Sequence, residues 1–89
     1  MIHLNIKIKG LVQGVFFRSA TKEKAQELNI NGFVRNESDG SVYIEAEGEK
    51  QQIDIFLNWC NSGPSSVKVE TIDFSESDLK NYDSFKIAY

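Results

Sequence analysis

The 89-residue chain is poor in the side chains that form disulfides and hold metals. It contains one cysteine, Cys60, and one histidine, His3. A disulfide within the chain needs two cysteines, and a structural zinc site needs several cysteine or histidine ligands. Both are excluded, and the single histidine removes most other metal chemistry. We therefore expect neither a metal ion nor a cofactor.

The chain also lacks an excess of positive charge and a long hydrophobic run. Ten Lys and Arg against thirteen Asp and Glu give a net charge of -3, which repels nucleic acid. Residues 1–6 alternate in polarity and lack the basic and apolar regions of a signal peptide or membrane span. We expect a cytoplasmic monomer without nucleic-acid or membrane partners.

The composition is that of one globular domain. Hydrophobic residues make up 40% of the chain and charged residues 26%, which is ordinary for a folded protein. A length of 89 residues suffices for one compact domain and is too short for two. We expect a single domain over residues 1–89.

Hydrophobic periodicity predicts five strands and two helices. The predicted order is strand 2–9, helix 19–28, strand 30–37, strand 41–47, helix 49–61, strand 67–74 and a short strand over 85–89. This α+β order is the split βαβ pattern of a ferredoxin-like sandwich, with two helices on one face of an antiparallel sheet. In that topology the first two strands end at the same edge of the sheet, so Arg18 and Asn36 are expected there.

The same patterns predict which side chains are buried. Cys60 lies in the apolar stripe of the second helix and is expected in the core. Alternation puts His3 on the solvent side of the first strand, and Glu45, Glu47 and Glu49 form an acidic edge that is expected to be solvated. In strand 67–74 the apolar parity shifts, which predicts a bulge or an edge position.

The segment from Gly10 to Arg18 joins the first strand to the first helix through two glycines. Such a loop can point successive backbone N–H groups inward and bind an anion. The planar guanidinium of Arg18 could then hold a phosphate through two hydrogen bonds. By itself, a glycine loop of this kind favours the simpler interpretation, a tight turn beside a solvated arginine.

Two motifs resemble the signatures of the acylphosphatase family. Residues 10–18 read GLVQGVFFR, and every fixed position of the first signature is present. Residues 32–36 read GFVRN, followed by GSV at 40–42 and by Gly48, in the order of the second signature. One departure is Asn29, where many members of the family have glycine; asparagine tolerates the same left-handed conformation.

The resemblance implies a fold and an activity. Acylphosphatases are ferredoxin-like enzymes that hydrolyse the carboxyl-phosphate bond of small acyl phosphates to a carboxylate and inorganic phosphate, without a metal. By motif, Asn36 positions the attacking water and Arg18 binds the phosphoryl group. The other residues implied in phosphate binding are Gln13, Gly14, Val15, Phe16 and Phe17. Phosphate is then product and inhibitor, while the motifs do not specify the acyl group.

The face on which Asn36 lies depends on the turn that follows it. A two-residue turn at Asp39-Gly40 would pair Asn36 with Tyr43, and a three-residue turn over residues 38–40 would pair it with Val42. We expect the three-residue turn, with Gly40 in a left-handed conformation. Asn36 then faces the helix layer.

Two other functions remain open. One is a phosphate- or carbamoyl-phosphate-binding module like the acylphosphatase-like domain of hydrogenase maturation proteins, against which the short length argues. The other is a ferredoxin-like RNA-binding module, which would present aromatic and basic residues on the outer sheet face. The outward positions here include His3, Asn5, Glu45 and Glu47, so this function ranks last.

Overall fold

The computed structural model describes residues 1–14, 16–64 and 67–89. Its elements follow the predicted order of strands and helices. They are β1 (Ile2–Leu11), α1 (Phe17–Glu27), β2 (Asn31–Asn36), β3 (Val42–Gly48), α2 (Lys50–Ser62), β4 (Lys68–Ser77) and β5 (Phe85–Ile87). Neither helix is long and apolar enough to cross a bilayer, as judged over the described ranges.

The five strands form one sheet in the order β4-β1-β3-β2-β5. All neighbours are antiparallel except β2 and β5, so the expected antiparallel sheet is corrected at this edge. The direction of β5 follows from the end of the sheet at which β4 ends. That strand ends beside His3 at the start of β1, and β5 begins beside Gly32 near the start of β2. Because β1 and β2 both run antiparallel to β3, they start at the same end of the sheet, and β5 must run parallel to β2.

One face of the sheet packs against both helices, which confirms the predicted sandwich. The helix residues that enter the core are Phe17, Thr21 and Ala25 from α1 and Ile53, Phe56 and Cys60 from α2. They meet the apolar face of the central strands, including Ile6, Ile8, Val34 and Ile44. Each fully buried apolar side chain of this size stabilises the fold by roughly 1.5–3 kcal/mol. Cys60 lies in the core as predicted.

The irregularity predicted in the sixth element is present in β4. This strand lies at the edge of the sheet, and its register with β1 shifts between Lys9 and Gly10. Lys9 pairs with Thr71 and Gly10 with Val69, so Glu70 is the extra residue of a bulge. At Gly10, φ is +137° and a Cβ atom would lie 2.1 Å from the carbonyl oxygen of Lys68, so only glycine fits there.

Asn29 ends the first helical segment in the left-handed conformation expected of it, with φ of +56°. The N–H of Ile30 then donates to the carbonyl oxygen of Ala25 at 2.9 Å. Asparagine therefore serves where many relatives were expected to use glycine.

The prediction that the outer face of the sheet is solvated at His3, Glu45 and Glu47 is wrong. The side chain of His3 is 0% exposed and Glu47 is 2% exposed. Residues 78–84 cross this face, and the N–H groups of Lys80 and Tyr82 donate to the Glu47 carboxylate at 2.5 and 3.0 Å. The segment between β4 and β5 thus covers side chains that strand alternation alone places in water.

Candidate phosphate-binding and hydrolytic site

The loop after β1 leads into the N-terminus of α1. Gly14 and Phe16 both have positive φ, +97° and +65°, and Val15 between them lies outside the described residues. Among the described residues no side chain caps the start of α1. The first N–H groups of a helix have no partner within it, so those of Phe17, Arg18 and Ser19 can donate to an anion.

Arg18 occupies the first turn of α1 and is partly buried. Its guanidinium carbon lies 5.1 Å from the centre of the Tyr89 ring, a cation–π distance. Within the described ranges Arg18 forms no ion pair with a carboxylate. The ring covers one face of the guanidinium and leaves its N–H edge as a fork for a tetrahedral oxyanion.

Gln13 ties the loop to the β2–β3 hairpin. Its side-chain nitrogen donates to the carbonyl oxygens of Glu37 at 2.6 Å and Ser41 at 2.8 Å. The side-chain amide N–H groups therefore hold the hairpin, and Gln13 can offer its backbone N–H to a phosphate. Sequence reasoning missed this link because the two partners are backbone atoms of a distant hairpin, which leave no side-chain signature.

The hairpin has the expected three-residue turn. Asn36 pairs with Val42, and the N–H of Glu37 donates to Ser41 O at 2.8 Å. Gly40 has φ of +93°, as predicted.

Asp39 stabilises this turn from within. Its Oδ1 accepts hydrogen bonds from the Ser41 hydroxyl at 2.5 Å and the Ser41 N–H at 2.9 Å, and Lys7 Nζ lies 3.1 Å from Oδ2. These contacts hold the pKa of Asp39 below its ordinary value, and the hydrogen bond from the Ser41 hydroxyl contributes most. The turn that positions Asn36 is thus fixed by its own side chains.

Asn36 faces the helix layer at the end of β2. It shares a row with Val42 and Ile8, both of which are fully buried. Its Oδ1 atom is buried and has no hydrogen-bond partner among the described residues. An unpaired buried acceptor costs about 1–3 kcal/mol, and such atoms are rare in folded proteins. This oxygen is an acceptor suited to the O–H group of a water molecule.

A cavity of about 90 Å³ lies against Arg18. Its lining residues are Gly14, Phe16, Arg18, Ser19, Ile87 and Tyr89. Asn36 is not among them; Gln13 links the loop to Glu37, the residue after Asn36. The sequence did not indicate Ile87 and Tyr89 as site residues, because only the parallel pairing of β5 with β2 carries them to this edge. The alternation of Phe85, Ile87 and Tyr89 was the one available signal.

Arg35 points away from this site, as its strand parity predicted. Its guanidinium carbon lies 5.4 Å from the Phe33 ring centre and 4.9 Å from that of Tyr43, on the outer face of the sheet. It also pairs with Glu37 at 3.3 Å. Of the two neighbouring polar residues, only Asn36 faces the helix layer.

Comparison with known proteins agrees with the fold and the motifs. The acylphosphatase family model matches residues 4–87. An acylphosphatase of Archaeoglobus fulgidus is 45% identical over 89 residues, which cover all of both chains. The crystal structure of acylphosphatase from Bacillus subtilis superposes with a TM-score of 0.96 at 34% identity, covering all of both chains.

The same fold also occurs within a longer protein. Full-length HypF, in its phosphate- and nucleotide-bound form, matches with a TM-score of 0.92 at 37% identity, covering 99% of this chain and 12% of that one. The match to the family model and the similarity to the Archaeoglobus fulgidus protein over its whole length establish the family. This chain belongs to the acylphosphatase family.

Proposed function

We propose that the chain hydrolyses the carboxyl-phosphate bond of small acyl phosphates, with Arg18 and the loop N–H groups binding the phosphoryl group and Asn36 positioning water. The water oxygen forms a bond to phosphorus as the bond from phosphorus to the acyl oxygen breaks. A carboxylate and inorganic phosphate are released. The observation that carries this assignment, beside family membership, is the buried Oδ1 of Asn36, which has no hydrogen-bond partner within the described part of the chain.

Arg18 and the helix N-terminus supply charge where the reaction needs it. Phosphoryl transfer depends mainly on positioning and on neutralising the equatorial oxygens of the transferred group. The fork of Arg18 can hold two of those oxygens, and backbone N–H groups from Gln13 to Arg18 can hold the third. No protein nucleophile is required, because an acyl phosphate is already activated.

Asn36 cannot remove the proton from water, since an amide is not a base at neutral pH. Its Oδ1 accepts a hydrogen bond from one O–H group of the water and so directs a lone pair of the water oxygen toward phosphorus. The other proton of the water, which is not bonded to Asn36, then passes to a phosphate oxygen of the substrate. A catalytic carboxylate would instead produce a pH profile that one carboxylate variant abolishes.

Asn36→Ala tests the water-positioning role. With benzoyl phosphate, turnover should fall about a hundredfold or more, by analogy with the loss of one preorganised group, while phosphate affinity stays nearly unchanged. Asn58→Ala, at an exposed position of α2, is the matched control and should change neither quantity. Parallel loss of turnover and phosphate affinity, or loss of neither, would show that Asn36 is only a hairpin residue.

Arg18→Gln tests the phosphate-binding role. Turnover should fall roughly a hundredfold to a thousandfold and phosphate affinity should fall with it, because the charged fork is lost. Lys at this position should rescue only part of the activity, since a point charge does not reproduce the fork. Arg35→Gln, on the outer face, is the control. Unaltered phosphate affinity in Arg18→Gln would refute the assignment.

We also infer that the enzyme acts as a monomer without metal or cofactor, on small acyl phosphates in the cytoplasm. Turnover of benzoyl phosphate should be the same with and without a chelator, and sedimentation should give one chain mass. If the protein binds phosphate but does not hydrolyse benzoyl phosphate, the binding-module alternative replaces the enzyme.

A further inference from the structure

Phe16 is an unusual residue for its place in the loop. Its φ of +65° lies in the left-handed region, where a bulky side chain is an outlier, and the residue is 74% exposed. Glycine would relieve the backbone strain, and a polar residue would suit the exposure. Strain of this kind persists where the surrounding structure holds it and is concentrated at functional sites.

The ring does not stand alone. Tyr89, Phe16 and Leu11 are the three most exposed large apolar side chains of the described residues, and two of them, Phe16 and Tyr89, line the cavity at Arg18. Ile87 contributes a third apolar wall. One cleft therefore combines a cationic group with apolar surface. An acyl phosphate has the complementary parts, an anionic phosphoryl group and an apolar acyl group.

The size of the cleft separates the two parts of a substrate. The cleft is small, with a volume of about 90 Å³, and it opens to solvent. A phosphoryl group held by Arg18 lies at the cationic wall of this cleft, so the acyl group extends from it toward solvent. The acyl group must leave the cleft at its rim, where the two aromatic rings are exposed.

From this arrangement we propose that Phe16 and Tyr89 form an acyl-group subsite, which favours acyl phosphates with an aromatic or other apolar acyl group over those with a short one. The inference rests on the proposed function for its anchor, the phosphate at Arg18. It adds the substrate class, which the phosphate-binding motifs leave open. Apolar surface removed from water supplies the preference.

The direct test uses two ligands that differ only in their apolar group, phenylphosphonate and methylphosphonate. Calorimetry should show that the full chain binds phenylphosphonate more tightly, and that Phe16→Gly lowers the ratio of the two affinities about tenfold. Phe74→Ala, which removes an exposed Phe from β4, is the control and should leave the ratio unchanged. Tyr89→Ala should lower the ratio in the same direction as Phe16→Gly.

Two readouts keep this inference separate from the proposed function. If wild type binds both phosphonates but hydrolyses neither benzoyl nor acetyl phosphate, the enzyme assignment fails while the affinity ratio still decides the subsite. If the ratio is the same in Phe16→Gly and wild type, the subsite is overturned whatever the turnover. The thermal midpoint of Phe16→Gly should rise by a few degrees if the left-handed Phe is strained, which shows that the variant is folded.

Discussion

His3 Nδ1 lies 2.7 Å from Glu47 Oε2, and both side chains are buried beneath the segment that joins β4 to β5. The other ring nitrogen of His3 lies 2.8 Å from Asn5 Oδ1 and 3.2 Å from Glu45 Oε1. Glu45 in turn accepts hydrogen bonds from Tyr82 and Tyr43 at 2.7 and 2.8 Å. This cluster joins the outer face of the sheet to the crossing segment.

The cluster predicts a loss of stability in acid. Burial raises the pKa of both carboxyl groups, but hydrogen bonds lower it more, so that each pKa lies below the ordinary 4.5. Glu45 accepts these bonds from Tyr82, Tyr43 and Lys80. Glu47 accepts them from the Lys80 N–H, His3 and the Tyr82 N–H. A lowered pKa stabilises the fold above pH 4.5, and the gain is lost as pH falls below that value. The free energy of unfolding in urea should therefore decrease as the pH falls below 4.5.

Glu47→Gln should remove part of that pH dependence. At neutral pH the variant should also be less stable by about 3 kcal/mol, because its buried partners lose a carboxylate. Glu76→Gln, at an exposed position of β4, is the control and should keep the wild-type slope. An unchanged slope in Glu47→Gln would mean that this carboxylate does not couple folding to pH.

Gln13→Ala should slow turnover more than it weakens phosphate binding. The variant loses both hydrogen bonds to the hairpin carbonyls, so the loop and Asn36 are no longer held in register. We expect kcat to fall roughly tenfold to a hundredfold while KM changes less, since misplacement acts on the reacting geometry. Gln51→Ala, on the exposed face of α2, controls for the amide itself. An equal change in kcat and KM would argue against a positioning role.

The glycines provide a test of the fold that is independent of the site. A Cβ atom at Gly32 would lie 1.8 Å from the carbonyl oxygen of Glu45, while one at Gly40 would meet nothing within 4 Å. Both residues have positive φ, so each alanine variant is strained by about 1–3 kcal/mol, and Gly32→Ala must also move the backbone of β3. Chemical unfolding should show a much larger loss for Gly32→Ala than for Gly40→Ala; equal losses would contradict the close approach.

Cys60 should be unreactive in the folded protein. Burial in the core raises the pKa of its thiol, and both the low thiolate content and the lack of access slow attack on a disulfide reagent. Labelling with Ellman's reagent should be slow in buffer and complete in urea. Rapid labelling in buffer would show that α2 opens readily.

The sequence predicted most of the fold because local periodicity and turn length carry that information. Alternation and helical spacing gave the element order, and the three-residue turn over residues 38–40 gave the pairing of Asn36 with Val42. The burial of His3 and Glu47 was not predictable in this way. The segment that covers them has no period of its own, and it recognises Glu47 largely through backbone N–H groups.

The site was predictable to the extent that its residues are local. Arg18 and the glycine loop follow one strand directly, so a motif can specify them. The bonds of Gln13 and the ring of Tyr89 depend on contacts between segments far apart in the chain. A pattern within one segment of the sequence does not predict contacts with a distant segment.

The short parallel strand β5 has a consequence for synthesis. It pairs with β2, which leaves the ribosome far earlier, and it brings Ile87 and Tyr89 to the cleft. A nascent chain that has not yet made β5 lacks this wall of the cleft and also lacks Phe85, which is buried in the core. One short strand therefore completes both the core, through Phe85, and the cleft, through Ile87.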